Sequence, residues 1–215
     1  QERLSRFIAD RTRLLAALGH DLRTPITSLR LRAELLDDEE AKQRIVETLD
    51  EMQRMVESTL AFAREEAQAE PVRETDLAAL VEGTVEDLSE LGLDVRLVAS
   101  EPVVARIRSA AVRRALRNLI ENAVRYGKRA RVGLVREGEE AVVRVDDDGP
   151  GIPVDKLEEV FEPFVRLDPS RLTETGGVGL GLAIARGIAR AHGGEVSLVN
   201  RPEGGLRACL RLPLA

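Results

Sequence analysis

From about Leu4 to Ala69 the apolar residues recur at helical spacing, and only Gly19 and Pro25 break the run of helix-compatible residues. Leu15, Leu18, Leu22 and Leu29 trace one seam, and Ile45, Met52, Val56 and Leu60 trace a second. The acidic stretch LDDEEA, residues 36–41, supplies the turn between them, so the pattern predicts a helical hairpin. Two helices with long apolar seams and few aromatic residues cannot enclose a core alone. Pairing with a second copy as a four-helix bundle is the economical solution, and a homodimer is the expectation. Packing of the hairpin on the rest of its own chain is the alternative.

The segment EEAQAEPVRETD has no sustained apolar pattern, and it ends on Asp76, a suitable helix cap ahead of LAALVEGTVEDL. This places a boundary near Pro71, with domains at residues 1–70 and 71–215. Beyond it, helical patterns at Leu77 to Leu88, Ala110 to Tyr126 and Leu180 to Ala191 are interspersed with alternating segments. Those segments are DVRLVA, RARVGLV, AVVRVDD, EVSLVN and LRACLRL, each predicting a strand. The mixture implies a layer of helices on a mixed sheet.

Composition narrows the class. With 43% hydrophobic and 33% charged residues the chain reads as globular rather than disordered. A formal net charge of −6 supplies no clustered basic face for nucleic acid or an anionic membrane. No apolar run reaches the roughly 18 residues of a membrane span, and QERLSRF lacks a signal-peptide core. Because the helical pattern starts at once from Gln1, the expectation is the C-terminal part of a longer protein, with removal of an initiator methionine as the alternative origin of such a start. Cys209 is the sole cysteine, in an alternating terminal segment that predicts a buried thiol.

Candidate chemistry begins at GHDLRTP, residues 19–25. If the leucines face the seam, His20 points away from it and shares its outward face with Thr24. A neutral imidazole near pH 7 offers a ring nitrogen as nucleophile toward phosphorus, and Asp21 can orient the ring or accept its proton. Pro25 cannot donate to the Asp21 carbonyl, which predicts a bend beside His20. An isolated histidine of this kind is more often a solvated surface residue, with the proline a tolerated kink. A metal site is weaker, because the only other histidine, His192, precedes a glycine pair and suits the end of a helix.

A second set suggests a nucleotide. In RNLIENAVRYG, Asn118, Asn122, Arg125 and Tyr126 fall on one polar stripe, where Asn122 can give an oxygen to Mg²⁺ and Arg125 can meet phosphate. Taken alone, such a stripe simply faces solvent. In VDDDGPGI, Asp147 ends a strand where its carboxylate can accept from an exocyclic base amine, while Gly149 and Gly151 permit close approach; a surface turn is the bland reading. GGVGLGLAIARGI leads glycines into a helix start, a plausible phosphate cradle that matches neither the Rossmann nor the P-loop spacing. Between them, Phe161 and Phe164 precede a polar stretch that reads as an anchored lid, within which Arg171 either approaches phosphate or stands free at the surface.

The ordered set GHDLRTP, RNLIENAVRYG, DDDGPGI, FEPF and GVGLGL resembles bacterial sensor histidine kinases of the EnvZ-like osmosensor group, over almost the whole chain. The resemblance implies an α plus α/β protein: a helical hairpin forming a dimeric four-helix bundle, followed by an α/β sandwich of GHKL (Bergerat) type. It implies ATP and Mg²⁺ as cofactors, autophosphorylation, and transfer to an aspartate on the receiver domain of a cognate response regulator. By the same resemblance His20 is the phosphoacceptor, Asp21 its acid/base partner, and Thr24 a positioner of water in dephosphorylation of that regulator. Asn122 matches the magnesium ligand, Asn118, Arg125 and Tyr126 match nucleotide contacts, and Asp147 matches the adenine reader. Gly149, Gly151, Gly177, Gly179 and Gly181 match glycine-box positions, and Gly19 stands where similar proteins commonly have serine. The expected setting is the cytoplasmic portion of an inner-membrane sensor, with no nucleic acid partner and no direct membrane contact by this part.

Two other functions compete. An ATPase of the GHKL superfamily would, by resemblance, use an acidic residue four positions before the magnesium asparagine. Here that position is Asn118, which cannot act as a carboxylate base. A nonenzymatic dimeric nucleotide-sensing scaffold is the third reading.

Overall fold

Helices alone make up the regular structure of the described residues before 54, and helices are interspersed with strands after residue 70. The computed structural model describes residues 22, 24–36, 38–50, 52–53, 70–167 and 179–214. Those residues divide into two compact units, one comprising the described positions up to 53 and the other the remainder.

In the first unit, residues 24–33 (α1) and 39–50 (α2) are helical, with the turn at the acidic stretch. Asp38 starts α2 by accepting from the backbone N–H groups of Glu40 and Ala41, each at 3.0 Å. Arg30 Nη1 meets Asp50 Oδ1 at 2.6 Å and Lys42 Nζ meets Glu34 at 2.9 Å, joining the helices at an exposed surface. Helix continues through Pro25, while the bend expected beside His20 and Asp21 lies outside the described residues, as do Leu15, Leu18, Val56 and Leu60. The buried positions are Ile26, Ala33 and Leu49, whereas the seam leucines Leu22 and Leu29 are 47% and 48% exposed. Ile45 and Met52 of the second seam are equally open, at 40% and 45%.

The second unit contains β1 (Arg73–Asp76), α3 (Leu77–Glu90), β2 (Val95–Ser100), β3 (Val104–Ile107), α4 (Ser109–Gly127), β4 (Ala130–Glu137) and β5 (Glu140–Asp147). Short 3-10 turns at Val154–Lys156 and Glu159–Phe161 follow, then α5 (Gly181–Ala191), β6 (Glu195–Asn200) and β7 (Leu206–Pro213). Five strands form one sheet in the order β2-β4-β5-β7-β6. The β2–β4 pair is parallel, its crossover passing through α4, and the other pairs are antiparallel. β1 and β3 form a separate antiparallel ribbon that the apolar pattern did not predict: four residues each, β1 almost wholly exposed.

α4 buries Val112, Ala115, Leu116, Leu119, Ile120 and Ala123 along one stripe, and these join Leu134, Val143 and Leu210 of the strands in a single core. Each fully buried leucine contributes about 2–3 kcal/mol of hydrophobic transfer energy, which fixes the rotation of α4 and so the direction of its polar stripe. Local caps hold the helices in place. Asp76 accepts from Ala79 N–H at 3.1 Å, as its position in the sequence predicts. Glu70 accepts from Ala110 N–H at 3.0 Å, putting a negative charge at the α4 N-terminus. His192 ends α5: Nδ1 lies 2.7 Å from the Ile188 carbonyl, and Nε2 accepts from Arg108 N–H at 3.0 Å. A ring with one donor and one acceptor nitrogen satisfies both contacts and ties the end of α5 to the start of α4.

Cys209 is buried on β7, and burial pushes its thiol pKa up, away from the reactive thiolate. Of the two aromatic anchors expected between the glycine segments, Phe161 is buried but Phe164 is 53% exposed, so a single ring does the anchoring. Among the described residues no helix is long and apolar enough to cross a membrane.

Candidate functional site

The polar stripe of α4 faces the start of α5. A Cβ placed on Gly181 would lie 3.6 Å from Asn122 Nδ2 and 3.8 Å from Asn118 Cβ, so both asparagines flank the first residue of that helix. The residue before α5, Leu180, supplies no side-chain cap, and among the described residues no side chain takes up the first N–H groups of this helix, so they stand available beside the two asparagines. Asn118 Nδ2 is buried and has no partner among the described residues. A buried amide donor without an acceptor costs about 1–3 kcal/mol, and a ligand oxygen would remove that cost. Arg125 is half-buried and Tyr126 exposed at the end of the same stripe.

At the end of β5, Asp147 is 5% exposed. Its Oδ1 accepts from Gly149 N–H at 2.7 Å and Leu206 N–H at 3.1 Å, so Oδ2 is the oxygen available to an incoming donor. Burial raises the carboxyl pKa, opposed by those two backbone donors and by Arg201. Gly149 fits because a Cβ there would sit 2.9 Å from the Tyr126 carbonyl oxygen. Gly151 has φ +74°, and a Cβ would reach within 2.5 Å of Asn200 Oδ1. Asn200 brackets the turn, accepting from Ile152 N–H at 2.8 Å and donating to Ile152 O at 2.6 Å.

Three consecutive carboxylates would repel one another, and arginines resolve this by face. Arg207 clasps Asp146 with two bonds of 2.6 Å, and Arg131 clasps Asp148 at 3.0 and 2.5 Å. Arg201 donates to the Asp147 carbonyl at 2.7 Å and to Asp148 at 3.3 Å. The flanking acids are thereby neutralised, leaving Asp147 as the one directed inward. Hydrogen bonding from Arg131, with help from Arg201, holds the Asp148 carboxyl down at about 2. A folded value below the ordinary 3.8 means Asp148 adds stability above that pH and loses it as pH falls toward about 2. Thermal melts of the parent and Asp148→Asn should therefore differ at pH 6 and converge progressively below pH 4; a constant gap would show that the charge is not responsible.

Of the residues singled out in the sequence, Asn118, Asn122 and Gly181 come together, and Asp147, Gly149 and Gly151 form a second group at the end of β5. Gly179 has φ +76° and packs against Phe164. Thr24 lies in the other unit, exposed on α1. His20, Asp21, Arg171 and Gly177 are outside the described residues. Periodicity missed Arg201, Asn200, Gly127 and Gly205. A Cβ on Gly127 would lie 2.5 Å from Asp147 Cβ, and one on Gly205 would lie 2.0 Å from the Asp147 carbonyl oxygen. These contacts join segments far apart in sequence, and no local spacing announces them.

Residues 10–68 match the family model for the His Kinase A (phospho-acceptor) domain, and residues 108–215 match that for the histidine kinase-, DNA gyrase B-, and HSP90-like ATPase. The sensor histidine kinase GtrS of Pseudomonas aeruginosa is 46% identical over 213 residues, covering 99% of this chain and 44% of that protein. The sensor protein RstB of Escherichia coli is 35% identical over 222 residues, 99% of this chain and 51% of its own length. The chain thus spans about half the length of the curated relatives it matches. Among solved structures, the histidine kinase domain of the E. coli osmosensor EnvZ superposes with a TM-score of 0.54 at 31% identity, covering 69% of this chain and 92% of that one. The sheet with its helical layer is the GHKL α/β fold, and ATP binding comes with the ATPase family. With both domain matches in chain order and relatives across nearly its full length, the chain belongs to the EnvZ-like sensor histidine kinases.

Proposed function

We propose that the chain uses ATP to phosphorylate His20 and then passes the phosphoryl group to an aspartate on the receiver domain of a response regulator. The observation that carries this reading is the buried Asn118 amide, which has no partner among the described residues, beside the start of α5, where Leu180 gives no side-chain cap. This is a place built for phosphate oxygens, and it has an amide where a hydrolase of the same superfamily would need a carboxylate. The site thus favours transfer to a protein nucleophile over attack by water.

In this reading residues 1–70 form the dimerisation and phosphotransfer domain and residues 71–215 the catalytic domain. Asp147 accepts the adenine amine on Oδ2, and Gly149 and Gly151 let the base approach the backbone. Asn118, Arg125, Tyr126 and Arg171 contact the nucleotide, while Gly177, Gly179 and Gly181 offer N–H groups to its phosphates. Asn122 would hold Mg²⁺ through its side-chain oxygen, and the ion when bound neutralises phosphate charge. A neutral His20 nitrogen forms the new N–P bond as the bond from the γ-phosphorus to the bridging oxygen breaks, ADP leaves, and Asp21 takes the ring proton. Transfer to the receiver aspartate regenerates His20, and in a separate phosphatase activity Thr24 positions the water that hydrolyses the regulator's phospho-aspartate, restoring the aspartate and releasing inorganic phosphate. Positioning and charge stabilisation supply most of the catalysis.

The open seam residues Leu22, Leu29, Ile45 and Met52 support a homodimer in which a second copy covers them. The membership of GtrS and RstB among sensors supports placing this chain as the cytoplasmic part of an inner-membrane sensor.

Incubation with Mg-ATP labelled at the γ-phosphate tests the activity. Acid-labile label on the parent chain, absent from His20→Ala, is the expected result. Phosphate release without protein label would assign an ATPase instead, and nucleotide binding with neither outcome would assign a scaffold.

A further inference from the structure

The nucleotide site has a supporting contact that neither the catalytic scheme nor the glycine motifs use. Arg186, one and a half turns into α5, has a side chain only 16% exposed. Its guanidinium carbon stacks 4.1 Å from the centre of the buried Phe161 ring. Nη1 donates to Glu158 Oε2 at 2.8 Å, and Nε donates to Glu195 Oε1 at 2.8 Å. Glu195 is itself held by Arg190 Nε at 3.0 Å and by Val196 N–H at 3.0 Å, so it is a fixed post. Glu158 and Phe161 belong to a strap, residues 158–165, that returns to the start of the same helix. There Phe164 N–H donates to Gly179 O at 3.0 Å, with Phe164 at φ +69° and Gly179 at φ +76°. The fit is close: a Cβ on Gly179 would lie 3.0 Å from both Phe164 C and Val165 O.

We propose that Arg186 is a positioning residue for the phosphate end of the nucleotide site, acting by fixing this strap to α5 and thereby the path of Gly179–Gly181. The proposal rests on the nucleotide reading above. Arginine suits the task because one planar fork reaches carboxylates on two separate elements while its face lies on the ring. Released from Arg186, the strap keeps the buried Val160 and Phe161 and its Phe164–Gly179 bond but loses its ion pair to the body of α5, which loosens Gly179, the point where the backbone leads toward Asn118 and Asn122. The base end is held independently, by the Asp147, Asn200 and Leu206 contacts. Loss of Arg186 therefore affects the phosphates and spares the base.

Calorimetric titration of the full chain with ATP and with adenosine tests this. Arg186→Met is expected to weaken ATP about tenfold and leave adenosine within about twofold. Arg186→Lys should recover part of the loss, since an ammonium keeps a cation over Phe161 and reaches one carboxylate. Glu158→Gln, at an 80% exposed side chain that threatens no core, should shift ATP in the same direction by a smaller factor. Equal weakening of both ligands, or no change in either, overturns the proposal. A parent chain that binds adenosine and ATP at no measurable level overturns the nucleotide reading itself, and this proposal with it.

Discussion

Asp147→Asn is expected to weaken ATP binding by about 100-fold or more while leaving the fold as stable as the parent or more so. Both backbone donors to this side chain, Gly149 N–H and Leu206 N–H, converge on Oδ1. An asparagine keeps both by turning its carbonyl oxygen to that position, which puts its NH₂ group where Oδ2 was. An amine donor on the base then meets another donor. The lost charged hydrogen bond, at about 1.5–3 kcal/mol, and an unsatisfied donor at about 1–3 kcal/mol add in the same direction. Stability responds oppositely. Burial lifts the carboxyl pKa above its ordinary value, so the ionised group costs stability at neutral pH, and that cost fades as pH falls through the folded value. The uncharged asparagine carries no such cost. The stability advantage of the variant should be largest near pH 7 and shrink toward pH 4. Calorimetry with ATP and thermal melts across that range check both halves. Retained affinity would remove Asp147 from the base site, and a lower melting temperature accompanying lost affinity would mark ordinary unfolding.

What the sequence makes legible follows from the range of each interaction. α3, α4 and α5 emerge because their apolar residues repeat within a few positions, and β4, β5, β6 and β7 because alternation needs only neighbours. Asp76 and His192 were readable as helix ends for the same local reason. β1 and β3 escaped because four residues are too few to establish a period and β1 buries almost nothing. The hairpin seams gave the right spacing, yet Ile26, Ala33 and Leu49 are the buried positions within one chain. An apolar repeat marks a face without saying which neighbour covers it. In the nucleotide site the motif residues were visible as types, while their support was not. Arg207 reaches Asp146 across 61 positions because β7 pairs with β5 in a register that only the folded sheet defines, and Arg201 reaches Asp148 across 53 from the hairpin that leads into β7. Three acids in a row look like a solvated turn until those arginines are placed beside them.

The glycines of the 201–205 hairpin separate two kinds of backbone constraint, and Gly205→Ala is expected to destabilise the catalytic domain by about 3 kcal/mol or more. Gly205 has φ +86°, a region costly for any residue with a Cβ, and that Cβ would lie 2.0 Å from the Asp147 carbonyl oxygen and 2.8 Å from its carbon. Neither atom belongs to a flexible side chain, so the hairpin must move. Moving it withdraws Leu206 N–H from Asp147 Oδ1 and strains the Arg201 contact with the Asp147 carbonyl, so ATP affinity should fall as well. Gly204 is the internal comparison: its φ is +98°, but a Cβ there meets nothing within 4 Å. Gly204→Ala bears the conformational strain alone, about 1–2 kcal/mol, and leaves Asp147 in place. Urea unfolding and ATP titration of the two variants side by side should show Gly205→Ala losing both stability and affinity, and Gly204→Ala losing only a little stability. Equal losses in the two would mean that positive φ accounts for everything and that the close approach of this hairpin to Asp147 plays no part in shaping the base pocket.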